Sequence, residues 1–301
     1  MKEIEASYQK FLAGLSHSFE FHNIDYIGVC LDADSQEPCR FKIYWSDHCR
    51  PPFEHKSVSW LKETGLAEYI ETVEHAGRAR KYQSDIRIRN RTDGNMEQLF
   101  SFLSGNESAF HENETLIRSL SRMPITELSG YLYASLYFIG FLYEGTHDSE
   151  MLKFHWINRF CKNPDILTSD IWYDDSYYLE YLSSLSGTPY RLLAEQTGFL
   201  LKNCSCHLWM TGLDIMKSGW KKYKLYTKRP SDICQAMYTL FSQTPQYHPL
   251  AEKIQELEQW MKIHPELEPE GSAFCLDTDN KYSVNLYYGI RESYFQNKRT
   301  S

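Results

Sequence analysis

The sequence predicts an α+β fold: a closed antiparallel β-barrel of ten strands in five hairpins, with helices outside. Three observations predict it. One unit recurs along the chain: an apolar strand ending near an acid, a polar turn, then a strand in which Lys or Arg alternates with aromatic residues. The segments between these units carry apolar residues at helical spacing. No hairpin of this kind buries a face alone, and five of them closing on one another remove the exposed edges. The alternative is an open antiparallel sheet with helices on one face and water on the other.

The elements follow in order. The start MKEIEASYQKFLAGL has helical spacing. YIGVCLDADSQEPCRFKIYW (26–45) is the first hairpin, and CRPPF (49–53) a local turn. VSWLKETGLAEYIETVEHAG (58–77) predicts a helix closed by Gly77. ARKYQSDIRIRNR (79–91) is a weaker copy of the hairpin unit, and YFIGFLYEGTHDSEMLKFHW (137–156) a strong one. DDSYYLEYLSSL (174–185) and YRLLAEQTGFLLKN (190–203) form a helix pair before the hairpin HLWMTGLDIMKSGWKKYKLY (207–226). PSDICQAMYTLFSQ (230–243) and PLAEKIQELEQWMKI (249–263) form another, with Pro230 suited to a first turn. SAFCLDTDNKYSVNLYY (272–288) closes the set. No long Pro/Gly/Ser linker interrupts residues 1–301, so a single domain is expected.

Composition narrows the function. A formal charge of −8 over 301 residues supplies no phosphate-neutralising excess, which argues against a general nucleic-acid binder. Any anion site is then a local concentration of Lys and Arg. The longest apolar run, YLYASLYFIGFLY (131–143), is too short to span a bilayer as a helix. The start lacks the apolar core of a signal peptide, and the eight cysteines include no C-x-x-C pair. A cytoplasmic, monomeric protein with free thiols is expected, without membrane partners. P-loop, G-x-G-x-x-G, H-E-x-x-H and G-x-S-x-G patterns are absent. Cys204, Cys206 and His207 lack a second ligand pair, so no metal-ligating residues are assigned.

Period two assigns faces. The second strands of the units put Arg40, Lys42 and Tyr44 on one face, then Asp85, Arg87, Arg89 and Arg91, then Lys153 and His155. Lys222, Lys224, Tyr226 and Lys228 follow, then Ser283, Asn285 and Tyr287. In a barrel these faces look inward. Converging cations repel one another, so an anion is expected among them, and a diphosphate fits through charge-assisted hydrogen bonds. Tyrosines of a set that counts 22 in the chain alternate with the cations. Their π-faces suit a carbocation and their hydroxyls suit phosphate. The combination points to ionisation of an allylic diphosphate. Asp32, Glu144, Asp214 and Asp277 end first strands and read either as turn residues or as a general base toward an acceptor.

The segments RFKIYW (40–45), DIRIRNR (85–91), IGFLYEGTHDSE (139–150), WMTGLD (209–214) and VNLYYG (284–289) resemble, in order and spacing, the ABBA-type prenyltransferases. The chain is most similar to the cyanobactin peptide prenyltransferases. The resemblance implies a PT barrel of repeated ααββ units. It implies dimethylallyl diphosphate as co-substrate, Mg²⁺ as cofactor, and transfer of the dimethylallyl group to a side chain of a peptide, often macrocyclic. Carried over by position, Arg40, Arg87, Arg89, Lys228 and Tyr287 touch the diphosphate or shield the prenyl group. Strand parity adds Lys42, Tyr44, Lys153, Lys224, Tyr226 and Asn285. Trp209 falls where an aromatic residue limits prenyl length. The family's first strand can carry a glutamate base. None stands at 24–31, and Asp25 and Asp32 are nearest. Carboxylates at strand ends (Asp32, Asp214, Asp277) suit an arginine guanidine as acceptor beside Tyr or Trp. A free indole or phenol, or a binding barrel without catalysis, are the competing readings.

Overall fold

The structure is a computed structural model. It describes residues 1–14, 26–46, 55–75, 82–89, 93–121, 131–143, 149–161, 208–228, 233–243, 245–279 and 281–290, with isolated positions between 183 and 198. Ten antiparallel strands run in chain order: β1 Tyr26–Asp32, β2 Arg40–Ser46, β3 Ala67–His75, β4 Tyr82–Ile88, β5 Tyr131–Tyr143, β6 Met151–Cys161, β7 Leu208–Met216, β8 Gly219–Lys228, β9 Leu267–Asp277 and β10 Tyr282–Ile290. Among the described residues six α-helices accompany them: α1 Lys2–Gly14, α2 Lys56–Glu63, α3 Asp93–Asn106, α4 Ser108–Ser121, α5 Ile233–Ser242 and α6 His248–Met261. The expected α+β class and ten-strand count are met.

Each strand bonds its sequence neighbours, and β1 also pairs with β10 from Tyr26↔Gly289 to Asp32↔Ser283. The order of neighbours therefore returns on itself, β1-β10-β9-β8-β7-β6-β5-β4-β3-β2, as a closed barrel. β1 (YIGVCLD) and β5 (YLYASLYFIGFLY) are rich in the β-branched and aromatic residues that suit a pleated strand. The turns suit their chemistry. Gly219, after the β7–β8 turn, sits at φ +122°, which a side chain would strain.

Two predicted elements differ: the described part of the hairpin copy at 79–91 is the single strand β4, Tyr82–Ile88, paired with β3. The helix read over 58–77 is α2 only, Lys56–Glu63, and residues 67–75 form β3. Leu66, Tyr69, Ile70 and Val73 satisfy helical spacing as well as they suit a strand. Gly65 decides between them: its φ of +70° ends the helix, with its N–H donating to the Lys62 carbonyl. Helices α3 and α4 were not read from the sequence. The segments 174–185 and 190–203 lie outside the described residues apart from isolated positions.

Outward strand residues form the main core with the helices. Val29 and Leu31 of β1, Phe41 and Ile43 of β2, and Phe274 of β9 are buried in one cluster with Ile4, Tyr8 and Phe11 of α1 and Ile254, Leu257 and Trp260 of α6. Each such side chain contributes about 1.5–3 kcal/mol by leaving water. With the helices holding the outer face, the opposite face of the cavity-lining strands is turned into the barrel.

Candidate functional site

Inside the barrel is a cavity of about 290 Å³. Its walls include Lys42 and Tyr44 of β2, Gln83 and Asp85 of β4, Phe138 of β5, Lys153 and His155 of β6 and Met210 of β7. Lys224 and Tyr226 of β8, Glu270 of β9, and Asn285 and Tyr287 of β10 complete them, with Tyr26 of β1. Tyr223 and Leu225, the alternate residues of β8, are buried in the outer core instead. Period two thus sorts one strand into a core face and a cavity face.

The cavity is tiered. Nearer the hairpin turns lies a charged tier. Lys224 Nζ donates to Asp214 Oδ1 at 2.5 Å, with each side chain 8% exposed. Lys153 stands opposite Asp214 across β6–β7 and donates to the Gln83 carbonyl. The Gln83 amide donates to both Asp85 oxygens at 2.8 Å. Asp85 lies over Gly140, where any Cβ would overlap its carboxylate. Lys222 donates to Ser283 Oγ at 3.2 Å. Lys42 has no hydrogen-bond or ion-pair partner among the described residues.

Burial and like charge set the protonation of this tier. Burial, then the charge of Lys224, brings Lys153 down to about 7. Burial also pulls Lys42 below the usual lysine range and pushes Asp85 above the usual carboxylate range. Burial would raise Asp214 too, but Lys224 and Lys153 together hold it below its ordinary value.

The next tier is aromatic. Ring centroids run Tyr26–Tyr44 at 5.9 Å, Tyr44–Tyr287 at 5.8 Å, Tyr287–Tyr226 at 6.2 Å and Tyr226–His155 at 5.5 Å. The belt continues through His155–Phe138 at 6.4 Å to Phe138–Tyr137 at 4.6 Å, where the Arg87 guanidinium lies 4.7 Å over the Tyr137 ring. His155 Nε2 and the Tyr226 hydroxyl share a hydrogen bond of 3.0 Å. Burial takes His155 down to about 3, so the imidazole is neutral. His155 Nδ1 and Asn285 Oδ1 are buried without a hydrogen-bond partner among the described residues. An occupant with polar groups of its own would satisfy them.

Of the residues singled out from sequence, the cavity brings together Lys42, Tyr44, Lys153, Lys224, Tyr226, Asn285 and Tyr287. Asp214 stands behind them, bound to Lys224. Others lie elsewhere. Arg40 pairs with Asp32 at the hairpin-turn end, its side chain 40% exposed. Arg87 is half-exposed beside Glu68, with Nε–Oε2 3.4 Å apart. Arg89 follows β4 and is exposed. Asp277 accepts the backbone N–H groups of Asp279 and Lys281, each at 2.9 Å, which is turn chemistry. The backbones of Trp209 and Lys228 belong to β7 and β8, and their side chains lie outside the described residues. Gln83 was not singled out, although it shares the parity of Asp85.

Glycines make room for the belt. A Cβ on Gly212 would stand 2.7 Å from His155 Cδ2 and 3.1 Å from Tyr226 Cε2. Gly212→Ala is therefore expected to shift both rings and to cost up to about 10² in turnover, the scale for a displacement near 1 Å at a reacting centre. Steady-state kinetics beside an unchanged unfolding midpoint would check this. Wild-type turnover would show that the His155–Tyr226 placement is irrelevant.

The described residues contain no group of three or more His, Cys, Asp or Glu able to hold a metal. Asp85 and Asp214 face an amide and a lysine respectively. These side chains do not fit a resident Mg²⁺. Among the described residues no helix is long and apolar enough to cross a membrane.

No protein-family model matches the sequence, and neither does any curated protein. Solved structures do match in fold. AnaPT from Neosartorya fischeri aligns with a TM-score of 0.56 at 8% identity, over 89% of this chain and 78% of that one. The NotF prenyltransferase aligns with 0.53 at 9%, over 89% and 80%. The 5-dimethylallyltryptophan synthase of Streptomyces coelicolor aligns with 0.50 at 9%, over 96% and 91%. At such identities the likeness is one of fold.

Proposed function

We propose that the protein, as one domain over 1–301, transfers a dimethylallyl group from dimethylallyl diphosphate to a side chain of a peptide. The observation that carries this reading is the tiered cavity, lysines beside a belt of tyrosines. Lys42, Lys153 and Lys224 take the diphosphate oxygens, and Asp214 and Gln83 orient two of those lysines. The C–O bond to the allyl carbon breaks and diphosphate leaves with the electron pair. The allyl cation lies against Tyr44, Tyr226 and Tyr287, whose π-faces stabilise it while the belt excludes water. The acceptor attacks from the open side of the belt. The prenyltransferase and synthase with this fold, and the five sequence segments that resemble such enzymes, support the same reading.

A cavity of about 290 Å³ is at the small end of ligand sites and favours a five-carbon donor over a longer one. The same size favours, as a second reading, a free indole as acceptor. Mass spectrometry separates them. The protein is incubated with dimethylallyl or geranyl diphosphate and a pool of linear and cyclic peptides carrying Tyr, Trp, Ser, His or Arg, with free tryptophan included. A peptide heavier by one isoprene unit is expected. Prenylated free tryptophan alone would replace the peptide reading, and saturable diphosphate binding without any product would end the enzyme reading.

Lys42 gives a local check. Its lack of a partner among the described residues makes it the cation with least to lose in the empty protein. Lys42→Ala is expected to raise the donor KM about 10- to 10²-fold, the worth of one hydrogen bond to a charged group, with the unfolding midpoint unchanged. An unaltered KM would remove Lys42 from the donor site.

A further inference from the structure

Of the acids considered from sequence, Asp25 and Glu144 lie outside the described residues. Asp32 holds Arg40, Asp214 holds Lys224, and Asp277 caps a turn. Asp85 lines the cavity, but both its oxygens take the Gln83 amide within the lysine tier. One carboxylate stands elsewhere. Glu270 lines the cavity at the level of Tyr26, on the far side of the aromatic belt from Lys42, Lys153 and Lys224.

The backbone explains how it gets there. Gly271 pairs with Tyr287, and Pro269 with Tyr288, so the register shifts and residue 270 is the extra residue of a β-bulge. Regular alternation after an inward Gly271 would turn residue 270 outward. The bulge cancels that alternation and re-aims its side chain, as bulges at barrel rims do. Gly289 completes the device. It pairs with Tyr26 on β1, and a Cβ there would stand 3.2 Å from both Glu270 Cγ and Oε1. A bulge on one strand and a missing side chain on the next together bring a carboxylate to the cavity wall at the level of Tyr26.

We propose that Glu270 is the acceptor-side base and selects acceptors whose nucleophile is a nitrogen bearing a proton: an indole N–H, a guanidinium or an ammonium. The inference rests on the prenyl-transfer reading and deepens it. The allyl carbon loses its bond to the diphosphate oxygen and gains one to the acceptor nitrogen. The nitrogen's proton passes to the Glu270 carboxylate and from there to water, so products are prenylated acceptor, diphosphate and one proton. Before the transfer the same carboxylate accepts a hydrogen bond from the acceptor, charge-assisted when the acceptor is a cation. A serine or threonine hydroxyl, a weaker nucleophile without that cationic hydrogen bond, is disfavoured.

Glu270→Gln keeps the shape and removes the base. Its kcat for transfer is expected to fall about 10²-fold, the lower range for general-base catalysis. Release of dimethylallyl alcohol, in which water takes the place of the acceptor, is expected to persist, because the lysine tier and the belt are untouched. In Glu270→Ala, added formate is expected to restore part of the transfer rate and none of the hydrolysis rate. Gly289→Ala moves the carboxylate without removing it and is expected to lie between wild type and Glu270→Gln. Wild-type transfer by Glu270→Gln, with nitrogen acceptors and hydroxyl acceptors ranked as before, would overturn the assignment and leave prenyl transfer standing. A wild-type protein that neither transfers nor hydrolyses would overturn both.

Discussion

Replacing Lys224 with methionine is expected to lower the free energy of unfolding by about 3–5 kcal/mol, the scale for a buried charge that loses its partner. Asp214 and Lys224 are each 8% exposed, so the partner left behind stays largely shielded from solvent. Asp214→Leu is expected to cost a similar amount, since it strands the ammonium instead. The two changes together are expected to recover most of the loss, because an apolar pair of similar volume is often as stable as a buried ion pair. Denaturant midpoints of the four proteins close the cycle. The stable double variant then isolates function from folding. It lacks one of the cations assigned to the diphosphate and is expected to bind inorganic diphosphate more weakly than wild type. A Lys224→Met protein that unfolds at the wild-type midpoint would sink the idea of a coupled buried pair. A double variant that binds diphosphate normally would remove Lys224 from the donor site.

What was legible in the sequence was whatever period two encodes. Lys224 and Tyr226 alternate with Tyr223 and Leu225, and the barrel puts the first pair on the cavity and the second in the outer core. The same rule found Lys42, Tyr44, Asn285 and Tyr287. It failed where the period breaks or where tier matters more than face. Glu270 reaches the cavity through a bulge, which has no signature in the sequence beyond the neighbouring Gly271. Arg40 has the right parity but stands at the turn end, within reach of Asp32. Parity also says nothing of partners. That Asp214 faces both Lys153 and Lys222 follows from the register between strands, which a single strand's pattern does not contain. The β3 segment was misread because Leu66, Tyr69, Ile70 and Val73 fit both periods, so a glycine's backbone angle and not the apolar pattern settled it.

Binding of diphosphate is expected to take up a proton at Lys153, and to weaken as the pH rises above about 7. Burial is the chief reason this lysine titrates there, with the charge of Lys224 second, against the attraction of Asp214 and Asp85. A diphosphate beside the ammonium favours its charged form and raises its pKa again. Above about 7 the free protein must therefore gain the proton as it binds, and affinity falls by up to about tenfold per pH unit. Stability runs the other way. Between about 7 and the ordinary lysine value the unfolded chain holds a proton that the folded chain lacks, so this group makes the free protein more stable as the pH rises through that window. His155, neutral down to about 3, takes no part in either trend. Calorimetric titration with inorganic diphosphate at pH 8, in two buffers of different ionisation enthalpy, measures the uptake. Lys153→Met subtracts the protons that diphosphate itself and Asp85 exchange. Equal uptake in wild type and Lys153→Met would mean that Lys153 keeps its charge state on binding. The cavity's demand for an anion would then rest on Lys42 and Lys224 alone.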